Sequence, residues 1–316
     1  MPLEQDIFAV SLQYASLFLV VLLLTAIVLG FFFMLFQWFK HRNKESTALD
    51  FVTLLIRVPK DNETKIEAAE QMFSGLYSLK KSGFFAFAKA EDLFSLEIIA
   101  LEEDIAFYLS CPRRIRDLAE KQIHGSYPNA DIKEVDEVNI FNKNGKVAFT
   151  SLTLEKASYF SIKLFKDLPI DGLNSITSAL SKMGAGEGAI IQLLLQPEGK
   201  KWQNQGKSYV SAQKKRESDP NKASYSHDPK EMEIIGQKTD KPGFRVSLRI
   251  VVSGRDEHSA ESHLNNIKGA FSQYSSPYNS FKGPFIFFKH LFMIDFLYRY
   301  MPLFNKDTFI LNTEEL

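Results

Sequence analysis

The most constraining feature of this chain is "ASLFLVVLLLTAIVLGFFFMLFQWF", residues 15 to 39, in which no side chain carries a charge. About 20 apolar residues in a helix cross a hydrocarbon core of about 30 Å. A helix also satisfies its own backbone polar groups, which lipid cannot do. Only Ser16, Thr25 and Gln37 interrupt the run, and Trp38 stands at its far end, where an indole favours the headgroup layer. "MPLEQD" lies before the run and "KHRNK", 40 to 44, directly after it. Positive charge stays cytoplasmic, so residues 1–14 are expected outside and everything after the span inside. A cleaved signal peptide would show a basic start, a shorter apolar core and a small-residue cleavage site; this stretch has none of these. The expectation is a single-pass anchor in the cytoplasmic (inner) membrane, with the lipid bilayer as first partner.

A second apolar stretch, "FIFFKHLFMIDFLYRYMPLF" at 285 to 304, is read differently. Lys289, Asp295 and Arg299 would each cost ~2.5–3.5 kcal/mol at a bilayer centre, and Pro302 breaks the run. Asp295 and Arg299 at i,i+4 suggest instead a helix with one polar edge. Its apolar remainder either packs on a neighbouring domain or lies on the membrane surface.

Between these stretches, period-2 and period-3.6 patterns alternate. Residues 40–50 form a basic juxtamembrane linker. Leu54, Ile56 and Val58 share a strand face, and Thr64 to Glu67 reads as a capping box before Ile66, Ala69, Phe73, Leu76 and Tyr77 at helical spacing. Phe94, Leu96 and Ile98 alternate, "ALEEDI" turns, and Ile105, Phe107 and Leu109 alternate back as a hairpin. Pro112 opens a helix with Ile115, Leu118 and Ile123, closed by Gly125 and Pro128, and "ADIKEV" is a further strand. The order is β-α-β-β-α-β over 51–137, a ferredoxin-like arrangement.

A second unit is expected over 138–287. "NKNGK" offers an Asn-Gly hairpin turn, Phe160, Ile162 and Leu164 alternate, and Asp171 precedes a helix with Leu173, Ile176, Leu180 and Met183. "AIIQLLLQ" is a buried strand, 198–242 a polar insert, and Val246, Leu248, Ile250 and Val252 another strand. A helix with Leu264, Ile267 and Phe271 follows, then a last strand near 279 to 287. "VTLLIRVPKDNETKIEAAEQMFSGLY" superposes without a gap on "VSLRIVVSGRDEHSAESHLNNIKGAF". Duplication gives such an echo, and so does any β-α unit that buries one face. The expected class is α+β: one N-terminal transmembrane helix, then two ferredoxin-like (βαββαβ) domains, the second with a helical insert. Residues 288–316 add a C-terminal helix and a junction.

Composition and motifs supply little chemistry. Lys and Arg number 38 against 38 Asp and Glu, so no global basic field marks a dedicated nucleic-acid binder. The single cysteine, Cys111, excludes an internal disulfide, fits a reducing compartment, and reads as a buried strand-end thiol. "GKS" at 206 to 208 is not a Walker A loop, because the earlier glycine would have to be residue 201, which is Lys201. "GAGEGA", 184 to 189, joins a helix to a strand, whereas phosphate loops run from strand to helix; Gly184 reads as a helix C-cap. His258 and His263 are five apart, on different helix faces, and read as solvated. No catalytic, cofactor or metal residue is assigned, and the chain is not expected to be an enzyme by itself.

The insert is the one local basic feature. Lys200, Lys201, Lys207, Lys214, Lys215, Arg216 and Lys222 are interleaved with Trp202 and Tyr209. Cation and aromatic together suit single-stranded nucleic acid or anionic headgroups. A solvated helix followed by a loose loop, "ESDPNKASYSHDP", fits the same residues. Arg113, Arg114 and Arg116 form a smaller patch with the same two readings.

Four stretches together carry a resemblance: "RVPKDNETKIEAAEQMFSGLYSL" (57 to 79), "QIHGSYPNADI" (122 to 132), "DGLNSITSALSKMGAGEGAIIQLLLQP" (171 to 197) and the terminal "FILNTEEL". With the N-terminal span, they resemble the front half of membrane-anchored conjugative-transfer ATPases. These are coupling-protein-like relatives in the type IV secretion class, seen in bacteria of the candidate phyla. The resemblance implies that a segment like "FILNTEEL" leads into a RecA-like motor with Walker A and Walker B motifs. This chain carries neither motif, so no ATPase residue transfers to it. What it implies is a non-catalytic anchoring and assembly module, partnered by a P-loop motor domain or chain and assembled as a homo-oligomer. A membrane-tethered ligand sensor, or nucleic-acid contact through the insert, are the alternatives.

Overall fold

The computed structural model describes residues 2–41, 49–59, 61–81, 92–102, 104–169, 171–217, 228–302 and 307–316; the side chains of 2–12, 36–41 and 217 lie outside that description. There are two compact units, an N-terminal helix and a body built from the remaining elements. Helix α1 (Pro2–His41) is continuous over 40 residues. Its segment Gln13–Leu35 has a mean hydropathy of 3.0 and none of it is buried. The Ser16 and Thr25 hydroxyls donate to the carbonyls of Gln13 and Val21, so both are satisfied within the helix. Trp38's side chain and the basic cluster at 42–44 lie outside the described residues.

The body is mixed α/β around one large antiparallel sheet. Strands β1 (Phe51–Arg57), β2 (Phe94–Leu101), β3 (Asp104–Pro112) and β4 (Asp131–Val135) lie in the order β4-β1-β3-β2. Strands β5 (Lys146–Leu154), β6 (Gly188–Pro197), β7 (Gly243–Gly254) and β8 (Phe281–Lys282) follow as β6-β7-β5-β8. The C-terminal β9 (Phe309–Asn312) pairs with the first residues of β7, from Gly243↔Asn312 to Val246↔Phe309. The halves meet at β2 and β6, paired from Phe94↔Leu195 to Leu101↔Gly188, so 51–137 and 138–287 share a continuous sheet.

Helices α2 (Glu67–Leu76), α3 (Arg116–Ser126), α4 (Gly172–Leu180) and α7 (Glu257–Ala270) close one apolar core. Phe73, Ile123, Ile176 and Ile267 from these helices pack with Leu54, Leu109, Ile191 and Ile250 from the strands. Asp171 caps α4 as expected, accepting from the Leu173 amide. The hairpin turns where expected, with Glu102 in the left-handed region at φ 54°. The insert forms two packed helices, α5 (Lys201–Glu217) and α6 (Pro229–Asp240). Helix α8 (Lys289–Leu297) joins a second apolar cluster with Ile99, Ile190 and Val251.

Several sequence expectations are corrected. Thr64 does not cap α2, whose N-cap Ile66 has no side-chain bond; the Thr64 amide is taken by Asn62 Oδ1 in a local turn. The first strand of the second half is β5, not 160–164. Phe160 to Leu164 run outside the sheet because their amides go elsewhere: Ile162 N to Glu315 Oε1 at 3.1 Å and Lys163 N to the Tyr274 carbonyl at 2.8 Å. The Asn-Gly turn forms, closed by Gly145 N to Asn142 O, but β5 then pairs with β7 and β8, so it makes no hairpin. Only Phe281 and Lys282 of 279–287 are strand.

The internal echo also acquires a physical reading. It aligns β1-α2, which open the first half, with β7-α7, the third strand of the second half and the helix after it. The matched elements occupy different places in their halves, which is what convergence on a one-face-buried β-α unit produces. Val58 lies beyond β1 and is 42% exposed, whereas its counterpart Val252 is fully buried.

Candidate functional site: a polar row and the arm it holds

Glu97 stands opposite Gln192, and Gln192 opposite Arg249, so three polar side chains form one row across β2, β6 and β7. The row crosses the seam between the two halves. Strand alternation turns it away from the helix-bearing face, because Leu96, Leu193 and Leu248 next to it pack in the main core. All three are buried. Buried charge needs partners, and here Glu97 has an ion pair with Arg299 while Arg249 is held by hydrogen bonds. Ser95 Oγ donates to Glu97 Oε1 at 2.8 Å, and Gln192 Nε2 donates to the same oxygen at 3.1 Å.

The row grips the end of α8 and the arm beyond it, residues 295 to 300. Arg249 Nη1 donates to Gln192 Oε1 at 3.2 Å and to the Asp295 carbonyl at 2.8 Å, and Nη2 donates to the Tyr300 carbonyl. Gln192 Nε2 also reaches the Phe296 carbonyl at 3.2 Å. A guanidinium on the last carbonyls of a helix complements its dipole. Arg299 takes the left-handed region at φ 53°, costly for a residue with a Cβ, and ends the arm. Its guanidinium turns onto Glu97 (2.7 and 3.2 Å) and Glu137 (2.6 Å). The expected helical partnership of Asp295 with Arg299 is thereby corrected: α8 stops at Leu297, before Arg299. Burial pulls Arg249 down to about 10, opposed by the charges of Asp295 and Asp307. Burial also works against Arg299, but Glu97 and Glu137 prevail and raise it.

Helix α8 carries apolar side chains on more than its inward face, which one buried face does not explain. Inward, Phe292 stacks on Phe149 at 4.7 Å and Phe296 is buried. Outward, Leu291 and Leu297 are exposed, and just before the helix Phe285, Phe287 and Phe288 are 85%, 74% and 66% exposed. The stretch expected to pack on a neighbouring domain therefore packs on this chain's own sheet by one face and leaves an aromatic lip uncovered.

The residues singled out from the sequence are distributed unevenly. Lys200, Lys201, Lys207, Lys214, Lys215 and Arg216 are exposed on or beside α5, with Lys207 paired to Asp240 at 3.1 Å. Lys222 and most of the loop lie outside the described residues. Trp202 is buried at 3% exposure, beneath Gly243, where a Cβ would come within 2.6 Å of its ring. Tyr209 packs on Tyr159 and Phe160 and donates to Glu231 at 3.0 Å. The aromatic part of the suggested nucleic-acid grip is thus turned inward. Spacing could have shown this: Trp202, Gly206, Tyr209 and Gln213 step by four, three and four, one helical stripe. Gly206 of "GKS" lies in that stripe against Thr239 and Ile235, where only a glycine lets α5 and α6 approach so closely.

Arg113 pairs with Glu134, Arg114 with Asp92, and Arg116 with Glu120 and Glu134, so that smaller patch is neutralised in place. Burial pushes the Cys111 thiol up to about 12. Gly184 is not a helix cap, because α4 ends at Leu180 with Ser181 as cap; its amide donates to Glu187 Oε2 at 3.0 Å. His258 is exposed as expected, but His263 is not: its Nε2 lies 3.1 Å from Glu187 Oε2. Among the described residues no group of three or more His, Cys, Asp and Glu could hold a metal ion.

A second buried ion pair fixes the C-terminal segment. Lys238 Nζ of α6 lies 2.8 Å from Glu315 Oε2, with both side chains out of solvent. Glu315 also accepts from Ser161 Oγ and the Ile162 and Asn312 amides. Burial lowers the Lys238 pKa below the usual lysine value, and Glu315 opposes this. "FILNTEEL" is therefore a sheet strand and a buried polar turn. Beside it lies a recess of about 500 Å³ lined by Lys163, Lys166, Lys230, Lys238 and Tyr278 among others.

A family model described as a domain of unknown function (DUF8128) matches residues 40–281, and the chain belongs to that family. The match takes in β1 to β7 and α2 to α7, hence the whole polar row, and stops at Phe281, before the arm. No curated protein matches the chain.

Proposed function

We propose that this protein is a membrane-anchored assembly module that performs no reaction itself. Helix α1 holds it as a single-pass protein in the cytoplasmic membrane with the N-terminus outside. The observation that carries the reading is the uncharged Gln13–Leu35 segment, no residue of which is buried, followed after a few residues by the basic run at 40–44. The body is two ferredoxin-like modules fused edge to edge. Its strand order supports this, running 4-1-3-2 from one edge over β1–β4 and, counted from the other edge, again over β5–β8.

The module positions a P-loop motor, as a domain or separate chain, in a ring of the type IV secretion and conjugative DNA-transfer class. The resemblance of 57–79, 122–132, 171–197 and 309–316 to that class supports this step. Alkaline carbonate extraction and protease protection of the full chain in its native membrane test the anchor. Retention in the pellet, with residues after 44 digested only once the membrane is opened from the cytoplasmic side, is the expected result. Release by carbonate, or an intact mass lacking residues 1–39, would overturn it. A reading frame with a Walker A motif beyond codon 316 supports the motor partnership, and unrelated genes there weigh against it.

Nucleic-acid contact is a second reading, favoured by the outward face of α5, where Lys201, Lys207 and Lys215 stand among Asn204, Ser208 and Ser211. With Trp202 and Tyr209 turned inward, such contact is to phosphate alone. Oligonucleotide affinity should then fall with salt and show little base preference. The ligand-sensing alternative has the recess beside Lys238, but its Lys166 and Lys238 are already paired with Glu314 and Glu315.

A further inference from the structure

We propose that the aromatic lip before and at the start of α8 is a membrane-interface docking element, seating Phe285, Phe287 and Phe288 among the headgroups of an anionic lipid surface. The inference rests on the membrane-anchored reading above and adds a second, peripheral contact to it. Three nearly adjacent phenylalanines at 85%, 74% and 66% exposure form a patch that water does not favour. Their rings pair edge to face, Phe285 with Phe287 at 6.5 Å and Phe287 with Phe288 at 4.8 Å. The lip is preformed on a fixed base, since Phe292 is stacked on Phe149 and the far end of α8 is held by Arg249 and Gln192.

Charge selects lipid as the occupant. From 281 to 294 the sequence holds Lys282, Lys289 and His290 and no Asp or Glu. All three are exposed. Phenylalanine with lysine is the composition of surface-seated membrane segments, which anionic leaflets attract. Protein interfaces share the aromatic enrichment but are depleted of lysine.

The tether is also short: the seven residues from 42 to 48, between α1 and the body, extend to about 25 Å at most. A body tethered this closely meets the bilayer at high effective concentration, so a weak lip suffices.

The test uses the full chain reconstituted into vesicles of phosphatidylcholine, with or without phosphatidylglycerol. An environment-sensitive nitrobenzoxadiazole label is placed at Phe287→Cys or, as a control on exposed Lys268 of α7, at Lys268→Cys. Cys111 is fully buried, so it stays unlabelled. In phosphatidylglycerol vesicles the label at 287 should shift to the blue and be quenched by spin-labelled lipid, while the label at 268 stays aqueous. Lys282→Glu with Lys289→Glu should abolish the quenching. A 287 label unquenched by lipid in both vesicle types overturns the proposal. So does a blue shift that appears in detergent and grows with protein concentration, which would mean that a second copy covers the lip. Carbonate extraction of the same vesicles separates the two readings. A chain that stays embedded with its 287 label unquenched refutes the lip alone, and a chain that washes out refutes the anchor.

Discussion

On the face of the sheet that carries α2, α3, α4 and α7, the strands present Leu54, Leu109, Ala100, Ile191, Phe244 and Ile250, all in one core cluster with apolar residues of those helices. On the other face, beside the apolar Ile99, Ile190 and Val251, the same strands present Thr53, Ser110, Ser95, Glu97, Gln192 and Arg249, equally buried. Thr53 and Ser110 lie oxygen to oxygen at 3.0 Å, and the rest join the network that holds the arm. Apolar burial is non-directional and accepts many side chains of the right volume. A buried polar row is stable only when every donor meets an acceptor in one geometry. The first face therefore supplies most of the stability, and the second specifies where one particular segment lies.

The largest effect expected on this comparison comes from the first face. Phe244 is fully buried, and its ring meets Phe73, Tyr77 and Phe94 edge-on at 6.5, 5.7 and 5.8 Å. Phe244→Ala should destabilise the chain by about 3–5 kcal/mol through lost burial and a cavity where the two halves meet. Denaturant unfolding of the full chain in detergent measures this. A loss below about 1 kcal/mol would mean that the site collapses freely and that the core is not shared across the seam.

On the second face, Arg249→Met keeps the volume but leaves Gln192 Oε1 and the carbonyls of Asp295 and Tyr300 without that donor. Bonds to a charged group contribute about 1.5–3 kcal/mol each in isolation, and relaxation recovers part, so a global loss of about 2–3 kcal/mol is expected. The sharper readout is local. Amide hydrogen exchange should accelerate across 292–300 while β1 to β3 keep their protection. Uniform acceleration would show that the row supports the whole sheet rather than the arm.

The sequence made the first face legible and hid the second. Period-2 alternation located β2, β3 and β7, an apolar run located β6, and Asp171 marked a real helix entry, because these signals are local; Pro112 instead ends β3, and α3 begins only at Arg116. The same alternation misplaced a strand at Phe160–Leu164, since what holds that stretch is Glu315 and the Tyr274 carbonyl, both more than a hundred residues away. The polar row did leave a trace, Glu97 in "FSLEIIAL", Gln192 in "AIIQLLLQ" and Arg249 in "VSLRIVV", each with apolar residues on both sides. Register alone turns those three into neighbours, and register needs the strand order. The exposed lip was visible as apolar sequence, but only the direction of α8 shows which phenylalanines remain uncovered.

The smallest effect concerns whether paired burial of charge extends beyond the faces, to the end of the sheet where β6 begins. Glu187 is 5% exposed and accepts from Ser259 Oγ, from the Gly184 amide at 3.0 Å and from the Arg255 amide at 3.3 Å. Burial pushes its carboxyl up, but these hydrogen bonds and the His263 charge more than offset that and hold it at about 2. Its folded pKa lies below the ordinary 4.5, so the group's contribution is fully present above about 4.5 and is lost as pH falls from there through about 2. Glu187→Gln should therefore destabilise the chain by about 1–2 kcal/mol near neutrality, and by progressively less as pH falls through that window. Thermal unfolding of both forms from pH 7 to pH 2 reads this directly, and the curves should converge at the acid end. Parallel curves would mean that the carboxylate's charge is not what ties the 184–187 loop to the start of α7, and that hydrogen bonding to a neutral side chain serves equally well.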